Sequence, residues 1–302
     1  MGKSVVHIAA LIAMFFWGFS YIWSKIAFEV YSPLATIFFR LIISFLTLFL
    51  IIAISRNWEH IRKGDWWIFM VTAIFNPFLY FIFESYGLLS VSATVSAFII
   101  ATIPVFTPFV AFRVFGEKLN MIYLTGLMLS IFGVLMIVFN PDLSFAASPR
   151  GVALLFGGVA SAIVYTVFLK KLAMKYKPMT IIAWENTFGT IYFLPLFLYF
   201  EFPAVISIEP PRNVLISIIL LGTLASSLAY SLFAYVVKKI GISKGNIYAN
   251  LIAVFTALAS FFVLKEEFTP FKLTGMAIII LGVILSQIER KKTKSTTINN
   301  RP

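Results

Sequence analysis

Cysteine is missing from all 302 residues. That removes disulfides, thiolate nucleophiles, iron–sulfur clusters and cysteine-based zinc sites together. Histidine is limited to His7 and His60, and neither His-Glu-x-x-His nor Gly-x-Ser-x-Gly occurs, which argues against metallohydrolase and serine-hydrolase chemistry. No Gly-x-x-x-x-Gly-Lys-Ser/Thr loop exists to cradle a nucleotide, so the chain is no ATP-driven pump by itself. Charge is scarce as well: 12% of residues, against about 25% in soluble domains. What is present in excess is apolar surface, at 61% hydrophobic residues with 34 phenylalanines and a mean hydropathy of +0.97. So few charges cannot cover so much apolar surface in water, and disorder is excluded on the same ground. The sequence describes a polytopic membrane protein whose large partner is the lipid bilayer. The 24 basic residues outnumber the 12 acidic ones, but they lie between apolar runs instead of on one binding element. No nucleic-acid partner is expected, and the cations are read as topology signals.

A spanning helix needs roughly 20 apolar residues to cross about 30 Å of hydrocarbon. Ten runs qualify: 5–27, 33–54, 66–87, 91–112, 120–139, 151–169, 180–200, 213–236, 245–264 and 271–288. Turn chemistry breaks them at Tyr31-Ser32-Pro33, Asn140-Pro141-Asp142, Lys177-Pro178 and Glu209-Pro210-Pro211. Thr269-Pro270 has the form of an N-cap and first helical residue. The runs do not alternate apolar and polar residues as barrel strands would, so the expected fold is all-α with ten membrane helices. The first run holds Trp17 and Lys25 and lacks a small-x-small cleavage site, so it is read as a retained helix.

Loop cations set the expected orientation. The side carrying the amino terminus collects 18 Lys and Arg residues, the opposite side holds Lys25, Arg150, Arg212, Lys265 and Lys272, and Arg40 lies inside a span. The positive-inside rule then puts both termini in the cytoplasm. The basic tail, 289–302, is read as an anchor beside anionic headgroups.

Sliding the sequence over itself by 149 positions places Ile103-Pro104-Val105-Phe106-Thr107 over Ile252-Ala253-Val254-Phe255-Thr256. The same register aligns Glu117 with Glu266, Leu124-Thr125-Gly126 with Leu273-Thr274-Gly275, and Gly133-Val134 with Gly282-Val283; over 86–137, 14 of 52 positions are identical. Nearer the start the offset is 145, pairing Lys25 with Lys170, Tyr31-x-Pro33 with Tyr176-x-Pro178, and Arg40 with Glu185. The chain thus divides into a first unit, 1–140, a linker, 141–150, and a second unit, 151–288. Five helices is an odd number, so the second copy enters the membrane from the opposite side. Such inverted repeats suit alternating access, with substrate held near the midplane between the copies.

Trp17-Gly18, Arg40, Ser92-Ala93-Thr94, Pro104-Val105-Phe106 and Glu117 with Gly126 and Gly133, together with Glu266, Gly275 and Gly282, resemble the EamA family of drug/metabolite transporters. The resemblance covers nearly the whole chain. It implies a ten-helix basket that moves small metabolites, often exporting amino acids, across the bacterial inner membrane. Ala253 departs from the pattern, since a proline usually stands there in the second repeat to bend that helix.

Candidate site residues are polar groups inside apolar runs, because a charge at mid-bilayer costs about 2.5–3.5 kcal/mol on insertion scales and therefore faces protein or water. Thr72, Asn76, Tyr80 and Glu84 are each four apart in the third helix; Trp17, Tyr21 and Lys25 repeat that spacing in the first; Thr223, Ser227, Ser231 and Tyr235 do so in the eighth, beside Tyr230; Asn246 and Asn250 open the ninth. The expected substrate-binding set is Trp17, Tyr21, Asn76, Tyr80, Glu84, Tyr165, Ser227, Tyr230, Asn246 and Asn250. Charge or proton coupling falls to Lys25, Arg40, Glu84 or Glu185. Arg40 would either anchor the helices by pairing with Glu84 or a backbone carbonyl, or meet a substrate carboxylate. The bland alternative for the Ser, Thr and Asn residues is interhelical hydrogen bonding, worth about 0.6 kcal/mol on average. The glycine pairs, one heptad apart, suit close packing within the protomer, with a homodimer contact as the other use.

The leading functional expectation is a secondary transporter for a small organic solute, without metal or cofactor. A channel or structural membrane protein is the alternative, and an intramembrane enzyme a more distant one.

Overall fold

The protein is described by a computed structural model over residues 3–107, 121–241, 245 and 247–286. Asn246, Glu117 and the basic tail lie outside the described residues. Among the described residues the chain is helical and has no named strand. Its principal helices are α1 (Lys3–Ala27), α2 (Pro33–Ile54), α3 (Lys63–Ser90), α4 (Ala93–Thr107), α5 (Met121–Val138), α6 (Pro149–Lys175), α7 (Pro178–Val205), α8 (Arg212–Ile240), α9 (Asn250–Leu264) and α10 (Pro270–Ser286). Six of these, α1 to α3 and α6 to α8, are long and apolar enough to cross a bilayer; the other four are shorter apolar helices as described.

Helix starts follow local chemistry. Ser32 caps α2 by accepting from the Ala35 N–H, and Ser92 and Ser148 do the same for Val95 and Gly151 at α4 and α6. Thr269 accepts from the Lys272 N–H ahead of α10, as the Thr-Pro pair led one to expect. Several ends lie beyond the apolar runs. α6 continues to Lys175 and α8 to Ile240, because Lys170, Lys171, Lys175, Lys238 and Lys239 can finish a helix in the polar interface, their stems on apolar surface and their charges near the negative helix end. α9 begins five residues later than the apolar run, after a 3-10 turn at Ile247–Ala249.

Two features were not visible in hydropathy. α3 is not a regular helix: Pro77 has no N–H to offer the Ala73 carbonyl, Asn76 leaves the helical region (φ −148°, ψ 120°), and Ile74–Leu79 forms a wide π-type turn. The Ser161 hydroxyl donates to the Phe75 carbonyl at 2.7 Å, satisfying a backbone group at the break. The even four-residue stripe expected along α3 is therefore interrupted between Thr72 and Tyr80. Thr72 turns back to the Ile68 carbonyl, leaving Asn76, Tyr80 and Glu84 as the pocket-facing group. A second wide turn, Leu221–Ala229, lies in α8 and is free of proline.

Helices pair by small residues or by polar ones. α5 packs along α10 with backbone in contact: a Cβ added to Gly133 would stand 2.7 Å from the Gly275 carbonyl oxygen, and one on Gly282 would stand 2.7 Å from that of Gly126. Residue number rises on one helix as it falls on the other, so the pair is antiparallel. α2 crosses α7 with the same sense. Leu41 lies against Gly189, 3.3 Å from where a Cβ would stand, and Asn186 Nδ2 donates to Ser44 Oγ at 2.6 Å. On the face where α2 ends, Lys175 Nζ and Tyr176 Oη both donate to Asp65 at 2.7 Å, and the Lys177 N–H donates to Glu59 Oε2 at 2.7 Å. The Lys175–Asp65 contact is the one ion pair among the described residues.

Candidate functional site

A closed-in pocket of about 70 Å³ lies where α1, α2, α3, α4, α6, α8 and the start of α9 converge. Its polar wall is Trp17, Tyr21, Arg40, Asn76, Tyr80, Glu84, Tyr165 and Tyr230. A water needs about 10–15 Å³, so this volume admits a few waters, while ligand pockets commonly run from about 300 Å³.

Each polar group is held by a named partner. Tyr80 Oη donates to Glu84 Oε1 at 2.8 Å, one helical turn away, with the Tyr21 hydroxyl also beside that carboxyl group. Asn76, at the break in α3, donates from Nδ2 to Tyr230 Oη at 3.2 Å. Trp17 Nε1 donates to the Ala225 carbonyl in the wide turn of α8 at 3.2 Å, while its ring meets Tyr230 edge-on with centroids 4.8 Å apart. Tyr165 Oη reaches away from the pocket to donate to Glu185 Oε2 at 3.1 Å.

Arg40 is buried, 3% exposed, and forms no ion pair with Glu84 among the described residues. Its Nε donates to Ser226 Oγ at 2.9 Å, and its Cζ stands 4.2 Å above the Phe81 ring. Arg40 is therefore clamped by a hydroxyl and an aromatic face, and a guanidinium has donors beyond Nε for a further acceptor. The anchoring by Glu84 or a carbonyl that the sequence suggested is replaced by this arrangement.

Several expected residues stand elsewhere. Ser227 hydrogen-bonds Ser44 Oγ at 2.8 Å and joins Asn186 in an interhelical network behind Arg40, so the packing alternative holds for it. Asn250 is buried at the start of α9 but does not line the pocket, and its Oδ1 has no hydrogen-bond partner among the described residues. Glu185 is 2% exposed and reaches the pocket only through Tyr165; its Oε1 also lacks a partner. Lys25 lies at the far end of α1, donating to the Val91 carbonyl at 2.7 Å, and is not part of the pocket. Sequence reasoning missed the apolar wall: Phe81, Ile100, Ile103, Phe233 and Ile252 line the pocket but look like any other apolar residue in the chain. It also missed Ser20 and Thr166, although Tyr21 and Arg40 pointed to their neighbourhood.

The described residues thus form an all-helical protein with several membrane-length apolar helices and a pocket of mixed polar and apolar lining among them. The EamA-like transporter family matches residues 4–139 and again 149–287. The chain belongs to that family, twice over along its length, and is a membrane transporter. Among its relatives is a protein of Archaeoglobus fulgidus, described as an uncharacterized transporter, with 28% identity over 94% of this chain and 98% of the relative. The Bacillus subtilis protein called uncharacterized transporter YcxC is 27% identical over 97% of this chain and 96% of its own length. A solved crystal structure aligns with a TM-score of 0.70 over 95% of this chain and 99% of that one; at 14% identity this likeness concerns the fold alone.

Proposed function

We propose that the chain is a secondary transporter that carries a small organic solute, an amino acid or related compound, across the plasma (inner) membrane by alternating access, with net flux outward. In this reading 1–140 and 151–288 are two inverted five-helix units, ten spans in all, and both termini lie in the cytoplasm.

The observation that carries it is the pocket: Arg40 and Glu84 from the first unit share one enclosed space with Tyr165 and Tyr230 from the second. A zwitterion would set its carboxylate on Arg40 and its ammonium toward Glu84. Trp17, Phe81 and Tyr230 offer an aromatic wall to an apolar side chain. Glu84 and Glu185 are the carboxyl groups available to a coupling ion.

Inversion is supported by two helix crossings. Under the 149-residue offset, Gly133 against Gly275 maps onto Gly282 against Gly126; under the 145-residue offset, Leu41 against Gly189 maps onto Asn186 against Ser44. Each is a reciprocal contact between antiparallel, repeat-related helices, the signature of a two-fold axis perpendicular to them and hence in the membrane plane. Two similar units that exchange conformations about such an axis would open one face of the pocket and close the other.

The test is counterflow: proteoliposomes preloaded with one candidate amino acid are challenged with labelled external solute across a panel. Saturable uptake that needs the preloaded solute, and is lost in Arg40→Gln, is expected. Flux that rises linearly with concentration without trans-stimulation would overturn the carrier reading in favour of a pore.

A further inference from the structure

Apart from the central pocket, one space is apolar and peripheral. A cleft of about 380 Å³ lies between α4, α5 and α6, walled by Phe106, Ile131, Val134, Leu135, Val152 and Phe156. It is more than five times the volume of the central pocket. Of its two hydroxyl residues, Thr102 turns its oxygen back to the Ile99 carbonyl, and Ser130 Oγ lies where a Gly282 Cβ would be, toward α10. The wall of the cleft is thus almost wholly apolar, with the Ser130 hydroxyl buried and without a hydrogen-bond partner among the described residues. Its rim residues Ile131, Leu135 and Phe145 are 39%, 47% and 58% exposed, so it opens where a membrane protein meets hydrocarbon.

The cleft does not end in apolar surface. Through Phe145 and Pro149, which belong to both, it runs into a polar cleft of about 600 Å³ lined by Lys25, Ser148 and Lys272, with no acidic residue in its wall. Lys25 Nζ spends one N–H on the Val91 carbonyl and keeps two donors. Glu266 interacts electrostatically with Lys25 without forming an ion pair among the described residues, and its Oε1 accepts from the Ala93 N–H. Lys272 forms no ion pair among the described residues. Arg150 follows Pro149 in sequence and is exposed. The face of the protein bearing these residues is the cation-poor one, with five Lys and Arg in all, and two of the five, Lys25 and Lys272, line this cleft. Cations placed only to set topology would have no reason to converge on the mouth of an apolar slot.

We propose that this continuous surface is a binding site for an anionic phospholipid of the adjoining leaflet. One acyl chain lies in the apolar cleft between α4, α5 and α6, and the headgroup phosphate sits between Lys272 and Lys25 at the start of α6. The two halves of the site match the two halves of such a molecule. A chain in a nearly apolar slot replaces one hydrocarbon surrounding with another, and a phosphate among cations at the interface gains charge-assisted hydrogen bonds. The site is separate from the central pocket and does not depend on the transport reading.

The full-length protein, purified in a mild detergent, is offered phosphatidylglycerol, phosphatidylcholine or free palmitate, and bound molecules are counted by native mass spectrometry. Thermal unfolding gives a second readout. Wild type is expected to retain phosphatidylglycerol at least threefold over phosphatidylcholine. Ala153→Trp, at an exposed position of the apolar cleft, is expected to lower bound phosphatidylglycerol severalfold. Lys272→Glu, in the exposed first turn of α10 where an acid suits the helix end, is expected to erase the headgroup preference without lowering phosphatidylcholine binding. Leu194→Trp on α7, outside both clefts, controls for general surface effects and is expected to behave as wild type. Equal retention of both phospholipids by wild type would overturn the proposal, as would an Ala153→Trp protein that binds like wild type. Displacement of phosphatidylglycerol by equimolar palmitate would overturn the phospholipid assignment in favour of a free fatty acid.

Discussion

The two repeat-related helix crossings do the same geometric task with different chemistry. Where α5 meets α10, side chains are omitted: glycines at 126, 133, 275 and 282 bring backbone against backbone. Where α2 meets α7, the crossing is held by Ser44, Asn186 and Ser227, with Arg40 and Ser226 one layer nearer the pocket. The glycine crossing relies on van der Waals contact, which any added atom disturbs. The polar crossing relies on partners that cost free energy if one is left unpaired. The difference follows location. The α5–α10 pair lies away from the pocket and only has to stay together, while the α2–α7 pair holds the rear wall of the site and positions a buried cation.

The comparison can be broken from either side. The largest effect is expected from Gly133→Leu, which drives a side chain into the Gly275 carbonyl; overpacking of this kind costs about 1–3 kcal/mol or more. Reduced yield of folded protein and a lowered unfolding temperature should follow, with Gly282→Leu matching it. If both variants are as stable as wild type, the close approach is not what joins these helices.

Next comes Asn186→Leu. It removes the Asn186 donor from Ser44, which keeps Ser227, and from the Ser226 carbonyl, for an expected loss of about 1–3 kcal/mol at a buried site, tempered by the roughly 0.6 kcal/mol average for such bonds in membranes. Its distinguishing mark is functional. Because Ser226 also holds Arg40, solute affinity should fall together with stability, whereas the glycine variants should lose stability first. Thermal unfolding with and without solute separates the two.

A smaller and local effect is expected from Tyr80→Phe, which deletes the hydroxyl that Glu84 accepts from. Solute binding should weaken severalfold while the unfolding temperature of the solute-free protein changes little. An unchanged affinity would mean that Glu84 is oriented by Tyr21 alone.

The smallest effect belongs to the turn between the two repeats. Ser144 donates to Asp142 from both its hydroxyl, at 2.6 Å, and its backbone N–H, at 3.1 Å, which holds that carboxyl below the usual carboxylate range. A depressed folded-state value makes a contribution that is present above the unfolded value and lost as pH falls through the folded one. Asp142→Asn should therefore flatten the acid side of the stability profile slightly and leave solute binding unaltered. The group is exposed, so salt should mask most of the difference.

How much of this was legible beforehand can be judged residue by residue. Trp17, Tyr21, Asn76, Tyr80, Glu84, Tyr165 and Tyr230 were singled out because polar atoms in hydrocarbon must face protein or water, and all of them line the pocket. Ser227 and Asn250 satisfied the same criterion and lie elsewhere: Ser227 finds its partner on a neighbouring helix, and Asn250 is buried with its Oδ1 unpartnered among the described residues. Phe81 and Phe233 were hidden among 34 phenylalanines.

The amino-acid order alone determined that this chain is a helical membrane protein, that it is written twice, and which polar groups could not face lipid. Those are consequences of hydration, of an internal register and of desolvation cost, all local or periodic properties. Only the tertiary arrangement decided which of those groups share a cavity, that Arg40 is held by Ser226 and Phe81 instead of by Glu84, and that α3 breaks at Asn76 against Ser161. Each of these depends on which helices become neighbours. Hydrocarbon accepts any satisfied polar group and does not specify its partner, so that choice emerges only when the helices pack.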